Sequence, residues 1–241
     1  KITNVEAINT AEAEFSPVFF NKNQAVLFAS NRRNTSARNK TFAWDDSYFI
    51  DMYTSNKKDS LKFESTVPMA KTISSTYHDG PACLSPDEKT VYLTKSNIIV
   101  KKIKGVAVNV INLKLYILTK DAEGKLSKPE NFPYNSNDYS VGHATVTKDG
   151  KRMYFVSDMP GGYGQTDIYL SENVNGQWQK PENLGQAINT EGREMFPYVH
   201  EDGTLFFSTD GRAGLGGLDL YFTVPAMDAY FEPQSLGYPI N

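Results

Sequence analysis

Residues 142–169 read GHATVTKDGKRMYFVSDMPGGYGQTDIY, and residues 195–221 read MFPYVHEDGTLFFSTDGRAGLGGLDLY. Both carry the same parts in the same order. A short extended stretch leads to a turn at Asp149-Gly150 or Asp202-Gly203. An apolar run, a glycine-rich loop and an Asp-hydrophobic-Tyr ending follow. A phrase that recurs in frame makes the repeat the unit of the fold, ahead of any single residue.

Two further copies are degenerate. Residues 80–95 read GPACLSPDEKTVYLTK, with Asp87 in the place of Asp149. Residues 15–30 read FSPVFFNKNQAVLFAS, with Asn23 in the place of Gly150. The closing tyrosines are Tyr53, Tyr116, Tyr169 and Tyr221, at intervals of 63, 53 and 52 residues. A linker phrase repeats too, as NLGQAINT at 183–190, NVEAINT at 4–10 and LGYPIN at 236–241. We therefore expect one domain of four units, at approximately 1–63, 64–126, 127–178 and 179–241, cut in register from a longer multidomain protein.

The third unit translates directly into strands. Residues 144–147 are extended, and Asp149-Gly150 supplies the positive φ of a hairpin turn. Residues 153–156 are apolar at every position, which implies burial on both faces. The glycine-rich loop at 159–165 cannot be helical. Asp167 to Leu170 form a third strand, and Asn175-Gly176 turns the chain into an outer strand at Trp178, limited to edge character by Pro181. Phe63, Leu126 and Phe231 are the equivalents of Trp178. A sheet covered on both faces is met in a propeller blade. The expected fold class is thus all-β: a β-propeller with four recognisable four-stranded blades, open to completion by further blades in a larger ring. Two inserts depart from the template. Residues 31–47 are long, polar and basic. Residues 96–112 alternate as an extended hairpin arm around Gly105.

Bulk composition excludes several classes. With 25 basic and 28 acidic residues, the chain has no strong field to draw nucleic acid or an anionic membrane. It has no apolar run of spanning length, so no direct membrane span is expected. The single cysteine, Cys83, sits in an inner-strand pattern and reads as buried and inert.

Aligned on the first strand, Glu14, Asp79, Val141 and Glu194 fall in one column. Three carboxylates at one end of successive inner strands would make an acidic channel mouth for a basic or peptide-like partner. The competing reading is that each caps a local turn. The neighbouring column holds Ser16, Pro81, His143 and Phe196, which makes His143 a binding candidate near the axis or else a buried structural histidine. Asp51, Asp167 and Asp219, with Tyr53, Tyr116, Tyr169 and Tyr221, recur as structural residues; the Asp side chains should accept amides of the glycine-rich loop. Lys114 departs from that Asp column. A calcium site from Asp158 with Asp167, or Asp210 with Asp219, lacks dense oxygen-ligand spacing. His78 and His200 fall in other columns, so no zinc set forms. The glycines do not join a strand to a helix, and there is no G-x-S-x-G elbow. No catalytic residue, metal or cofactor is assigned.

Residues 139–144 (YSVGHA), 157–169 (SDMPGGYGQTDIY), 194–197 (EMFP) and 210–219 resemble the PD40, or TolB-like (WD40-like), propeller repeats of bacterial outer-membrane-associated OmpA-family proteins. The PorE-like group, associated with type IX secretion and gliding, is the nearest likeness. The resemblance covers nearly the whole chain and is tightest over 139–221. It implies a periplasmic, outer-membrane-associated module that helps tether a secretion or motility assembly to the outer membrane and cell wall. Its partners would be envelope proteins, with peptidoglycan gripped only by a domain absent here. On this reading the chain is not an enzyme. The alternatives are a peptide- or glycan-binding propeller and a propeller-type hydrolase.

Overall fold

A computed structural model describes residues 2–33, 41, 46–59, 62–69, 73, 75, 77–227 and 229–241. Among them there is no helix; the chain is all-β. Four antiparallel sheets follow one another along the sequence, each with its strands in chain order. Sheet 1 contains β1 (Glu14–Phe20), β2 (Ala25–Ser30), β3 (Asp51–Asn56) and β4 (Val67–Pro68). Sheet 2 contains β5 (Asp79–Leu84), β6 (Thr90–Ile103), β7 (Val106–Thr119) and β8 (Glu130–Asn131). Sheet 3 contains β9 (Val141–Val146), β10 (Arg152–Ser157), β11 (Asp167–Val174), β12 (Gln177–Trp178) and β13 (Glu182–Asn183). Sheet 4 contains β14 (Glu194–Val199), β15 (Leu205–Thr209), β16 (Asp219–Thr223) and β19 (Gln234–Ser235), with a ribbon of β17 (Pro225–Ala226) and β18 (Ala229–Tyr230).

The first two strands of each sheet meet through an Asp-led turn in three of four cases. Asp87, Asp149 and Asp202 accept the amides of Lys89, Lys151 and Thr204 at 3.1, 3.0 and 2.9 Å. These are side-chain mimics of a backbone turn. The cross-strand register then pairs Phe28 with Tyr53, Phe155 with Tyr169, and Phe207 with Tyr221. The rings stack at 6.1, 6.0 and 6.4 Å. Each first strand also carries a bulge, at Phe15/Val18, Asp79/Ala82, in β9, and at Met195/Tyr198. Its extra residue is Ser16, His143 or Phe196, each near φ +50°. The column that the sequence presents as an axial site is therefore a bulge column, which re-aims the strand.

The chain forms two compact units. One holds residues 1–96 and 116–130; the other holds 97–115 and 131–241. In the first, Leu27, Ala29, Met52, Ala82, Val91, Leu93, Leu118 and Ile73 form one buried cluster. In the second, Tyr154, Val156, Ile168, Val199, Leu205, Phe207 and Tyr221 close around Ile188, which is wholly buried. Burying a side chain of that size contributes about 1.5–3 kcal/mol. The opposite face of sheet 4 is open. Tyr198, Phe206 and Phe222 form a ladder on it at 6.1 and 6.0 Å, with Tyr198 exposed.

The arm expected at 96–112 is present as the long β6–β7 hairpin, turning at Lys104 (φ 49°) and Gly105 (φ 84°). The other insert, 31–47, falls largely outside the described residues, including Arg38 and Lys40. The outer strands differ from expectation. Trp178, Phe63 and Leu126 make only brief contacts with the third strand, as β12 or as isolated bridges. The pairing resumes at β13 and β8, just after Pro181 and Pro129, and at β19 after Pro233. A proline has no N–H, so the ladder breaks there and restarts. What reads as one outer strand is two short pieces.

Candidate functional site

The three column carboxylates are built into their own turns. Glu14 accepts the Thr10 amide at 2.9 Å and its hydroxyl at 2.7 Å, the Ser30 hydroxyl at 3.0 Å, and an Arg32 ion pair at 2.9 Å. Burial works against its ionisation, but the Thr10 amide and hydroxyl, the Ser30 hydroxyl and Arg32 together hold its carboxyl below the usual range. Asp79 is wholly buried. It accepts the Ser75 amide and hydroxyl and pairs with Lys95 at 3.0 Å. Burial outweighs these partners and pushes its pKa up. Glu194 is wholly buried as well. It accepts the Thr190 amide at 2.9 Å, the Thr190 hydroxyl at 2.7 Å and the Thr209 hydroxyl at 2.7 Å. No hydrogen bond joins one of these carboxylates to another among the described residues. Each closes a hydroxyl-x-x-x-carboxylate loop, the turn-capping alternative, and its acceptor sites are occupied by the chain itself.

His143 stacks face to face on Phe196, with centroids 4.2 Å apart and planes 10° apart. Desolvation lowers its pKa to about 4, so at neutral pH it is an uncharged ring. That is the environment of a packed histidine.

The recurring Asp and Tyr act as a pair. Asp167 accepts the Tyr163 amide at 2.6 Å and the Gly164 amide at 3.2 Å, and takes Asn183 Nδ2 at 2.8 Å. Asp219 accepts the Gly216 amide at 3.0 Å. From the same strand face, the Tyr169 hydroxyl donates to the Met159 carbonyl at 3.4 Å, and the Tyr221 hydroxyl donates to that of Ala213. Tyr53 donates likewise to Arg32 at 3.3 Å. Residues i and i+2 of a strand share a face, so one strand holds both ends of a loop. The loop must come close for this. A Cβ on Gly162 would stand 2.3 Å from Asp167 Oδ2, and one on Gly214 would stand 1.7 Å from Asp219 Oδ2. Lys114 breaks the pattern because sheet 2 has no such loop. The β6–β7 hairpin takes its place, and Lys114 reaches Asn137 Oδ1 at 2.7 Å instead. The carboxyl oxygens considered for calcium are engaged too: Asp158 accepts the Ser140 amide at 2.5 Å, and Asp210 that of Arg193 at 2.7 Å. Among the described residues no group of three or more His, Cys, Asp or Glu could hold a metal ion.

A second recurring device lies in the linkers, where the sequence shows repetition without a role. Asn189 Oδ1 accepts the Ile168 amide at 2.8 Å while its Nδ2 donates to the Ile168 carbonyl at 3.0 Å. Asn241 does the same to Leu220 at 2.8 and 3.0 Å, and Asn135 to Leu115 at 3.0 and 2.7 Å. An Asn amide has one acceptor and two donors in the arrangement of a peptide group. Each of these residues thus extends its sheet by one side-chain "peptide" beyond the broken outer strand. The signal was the repeated Ile-Asn of AINT and YPIN.

Among the described residues two unrepeated features stand out. The arm exposes Val100, Val106, Val108 and Ile111 beside Lys102 and Lys104. A cleft of about 870 Å³ lies between the hairpin turns of sheets 3 and 4, lined by Lys148, Asp149, Arg152, Glu172, His200 and Asp202 among others. Lys148 pairs with Glu201 and Arg152 with Glu172 at 3.6 Å, and His200 Nδ1 lies 2.9 Å from the Asp202 carboxylate. The Thr204 amide and His200 hold the Asp202 carboxyl down to about 2.

No family model matches the chain, and no curated protein matches its sequence. Among solved structures it is similar to a protein of unknown function from Dyadobacter fermentans, at 16% identity and a TM-score of 0.54, over 95% of this chain and 71% of that one. It is more distantly similar to a puromycin-hydrolyzing peptidase of Mycobacterium tuberculosis, at 12% identity and a TM-score of 0.49, over 97% of this chain. The chain spans 40% of the length of that peptidase. An alpha-L-arabinofuranosidase from Lactobacillus brevis is matched at 15% identity and a TM-score of 0.45, over 95% of this chain and 77% of that one. The Dyadobacter likeness is one of fold alone.

Proposed function

We propose that the four sheets are blades of a β-propeller, and that the module is a non-enzymatic protein-interaction scaffold of the bacterial envelope. The resemblance to the PD40 propellers of OmpA-family proteins supplies the setting: the periplasmic face of the outer membrane, where the module helps tether a secretion or motility assembly to the cell wall. The observation that carries the reading is the division of labour among residues. Recurring polar groups, from Glu14 and Glu194 to Asp167 and Asp219, are engaged in holding turns and loops. Recognition is left to what does not recur, chiefly the basic and apolar arm formed by β6 and β7, where Val106 is 63% exposed. Apolar side chains standing in solvent beside lysines suit a protein surface that is apolar with an acidic rim.

The test is site-specific photo-crosslinking from position 106 in the full-length protein in its native envelope. The expected result is one discrete envelope protein captured, and its loss when Val100, Val108 and Ile111 are replaced by Ser with the crosslinker kept at position 106. Capture that is unaffected by that replacement, or none at all, removes the arm from the function. Turnover of peptide or glycoside substrates by the purified chain would favour the hydrolase alternative.

A further inference from the structure

Three loops in this chain share one shape. Ile8 and Asn9 turn their amides onto the Val5 carbonyl, Ile188 and Asn189 onto Gly185, and Ile240 and Asn241 onto Gly237, all at 2.9–3.1 Å. In each, the Asn Nδ2 donates to a side chain at the start of the loop: Asn4 at 2.6 Å, Asn183 at 2.8 Å, Ser235 at 2.9 Å. Thr10 caps Glu14 with the same two distances that join Thr190 to Glu194, 2.9 and 2.7 Å. The Arg32 guanidinium donates to the Ile8 carbonyl as that of Arg212 does to Ala187.

The loops differ in what the Asn holds. Asn189 and Asn241 exchange two hydrogen bonds with the backbone of Ile168 and Leu220, and Asn135 does so with Leu115. All three are the aliphatic residue before the closing tyrosine of a third strand. Asn9 is exposed, and its side chain makes one bond, to Asn4; its Oδ1 accepts none among the described residues. The apolar half of the loop shows the same difference. Ile188 is sealed within a cluster that draws on both sheet 3 and sheet 4, whereas Ile8 is half-buried against Val26, Phe28 and Tyr53 of sheet 1. The third strands of this chain are already engaged. Leu115, Ile168 and Leu220 are held by Asn side chains, and the Met52 carbonyl accepts the Met69 amide at 2.8 Å.

We infer that residues 4–10 form a strand clasp, organised by Asn4, Arg32 and Glu14, whose occupant is the third strand of a further sheet of the same repeat. The clasp grips the N–H and C=O of the aliphatic residue in an Asp-aliphatic-Tyr sequence through Oδ1 and Nδ2 of Asn9. It is a one-residue case of strand addition, in which backbone bonds give the affinity. Because the loop already holds the shape it has when filled, little ordering cost remains for binding. This site goes beyond the scaffold reading and stands whether or not the module is an enzyme.

The test adds the occupant. A copy of residues 141–182 is placed directly before Asn4 in place of Lys1-Ile2-Thr3. This puts the copied Ile at the 20-residue spacing that separates Leu115 from Asn135. The chimera should melt above the parent. Asn9→Ala should lower the chimera's Tm by about 5 °C and the parent's by less than about 1 °C, with Asn9→Asp between them. As a measurement independent of the chimera's folding, a peptide of residues 165–172 titrated into the parent should shift the Asn9 side-chain amide resonances, and Ala at position 169 of the peptide should weaken that shift. Equal losses in parent and chimera together with an unmoved Asn9 amide would overturn the assignment. Concentration-dependent dimerisation of the parent that Asn9→Ala abolishes would overturn it too, since the occupant would then be a second copy.

Discussion

Asp167 and Tyr169 stand two residues apart on one strand and hold opposite ends of one loop. The Asp carboxylate takes the amides of Tyr163 and Gly164, and the Tyr hydroxyl donates to the carbonyl of Met159. Asp219 and Tyr221 repeat the arrangement on Gly216 and Ala213.

Removing the Asp end should loosen the loop and the sheet together. Asp167→Ala leaves amides of a partly buried loop without an acceptor and should cost about 2–4 kcal/mol in urea unfolding. Lys114→Asp, which restores the repeat letter where there is no loop to hold, should gain nothing. A stabilised Lys114→Asp variant would show that the Asp acts by something other than loop clamping.

The same clamp demands glycine. Gly214→Ala drives a methyl group into Asp219, so the loop must withdraw and lose its hydrogen bond. The expected loss is about 2–3 kcal/mol. Gly217, whose Cβ would meet nothing within 4 Å, is the control, and Gly217→Ala should change stability by less than about 1 kcal/mol. Similar losses at the two positions would remove the steric argument.

His143 should make the fold sensitive to acid. Its folded pKa, lowered to about 4 by burial, lies below the ordinary histidine value, so the unfolded chain binds the proton first. Stability from the neutral ring is complete above about pH 6.5 and is lost as the pH falls towards 4, by up to about 3 kcal/mol. Asp79, with its pKa raised by burial, acts in the opposite sense, losing stability as the pH rises from the ordinary Asp value. The difference between the parent and His143→Asn cancels that contribution. Asn also tolerates the φ of 52° at this bulge. Urea midpoints for the pair should converge between pH 7 and pH 4; a constant gap would show that His143 does not titrate in this way.

Asn189 should be worth more than its exposure elsewhere in the repeat suggests. Asn189→Leu keeps the volume but strands the buried N–H and C=O of Ile168. A loss of about 3 kcal/mol is expected, against less than about 1 kcal/mol for Asn9→Leu, whose exposed side chain bonds only Asn4 among the described residues. Amide exchange at Ile168 should quicken in the first variant and stay slow in the second.

The strands and turns were legible because they depend on neighbours in the chain. Asp149-Gly150 and Asn175-Gly176 specify turns, the apolar run at 153–156 specifies a doubly covered strand, and alternation at 96–112 specifies the arm. The loop-holding role of Asp167 and Asp219 was legible for a related reason: a group repeated in every intact unit serves the unit. The outer strands were legible only in part: Trp178 does pair with the third strand, as β12, and Leu126 makes a single bridge, but the pairing that resumes after Pro181 and Pro129 is too short to leave a periodic signal.

By itself, then, the sequence determined the repeat, the strand order within each sheet and the places where the repeat fails, since local periodicity and turn chemistry act over a few residues. Only the tertiary structure decided what the recurring polar groups do. Glu14, Asp79 and Glu194 align as a rim on paper and lie in turns in space, because a carboxylate takes the nearest hydroxyl and amide that geometry offers. The linker asparagines were visible as letters, but their grip on a strand 20 or 21 residues away exists only once the chain has folded back to bring a peptide group within 3 Å.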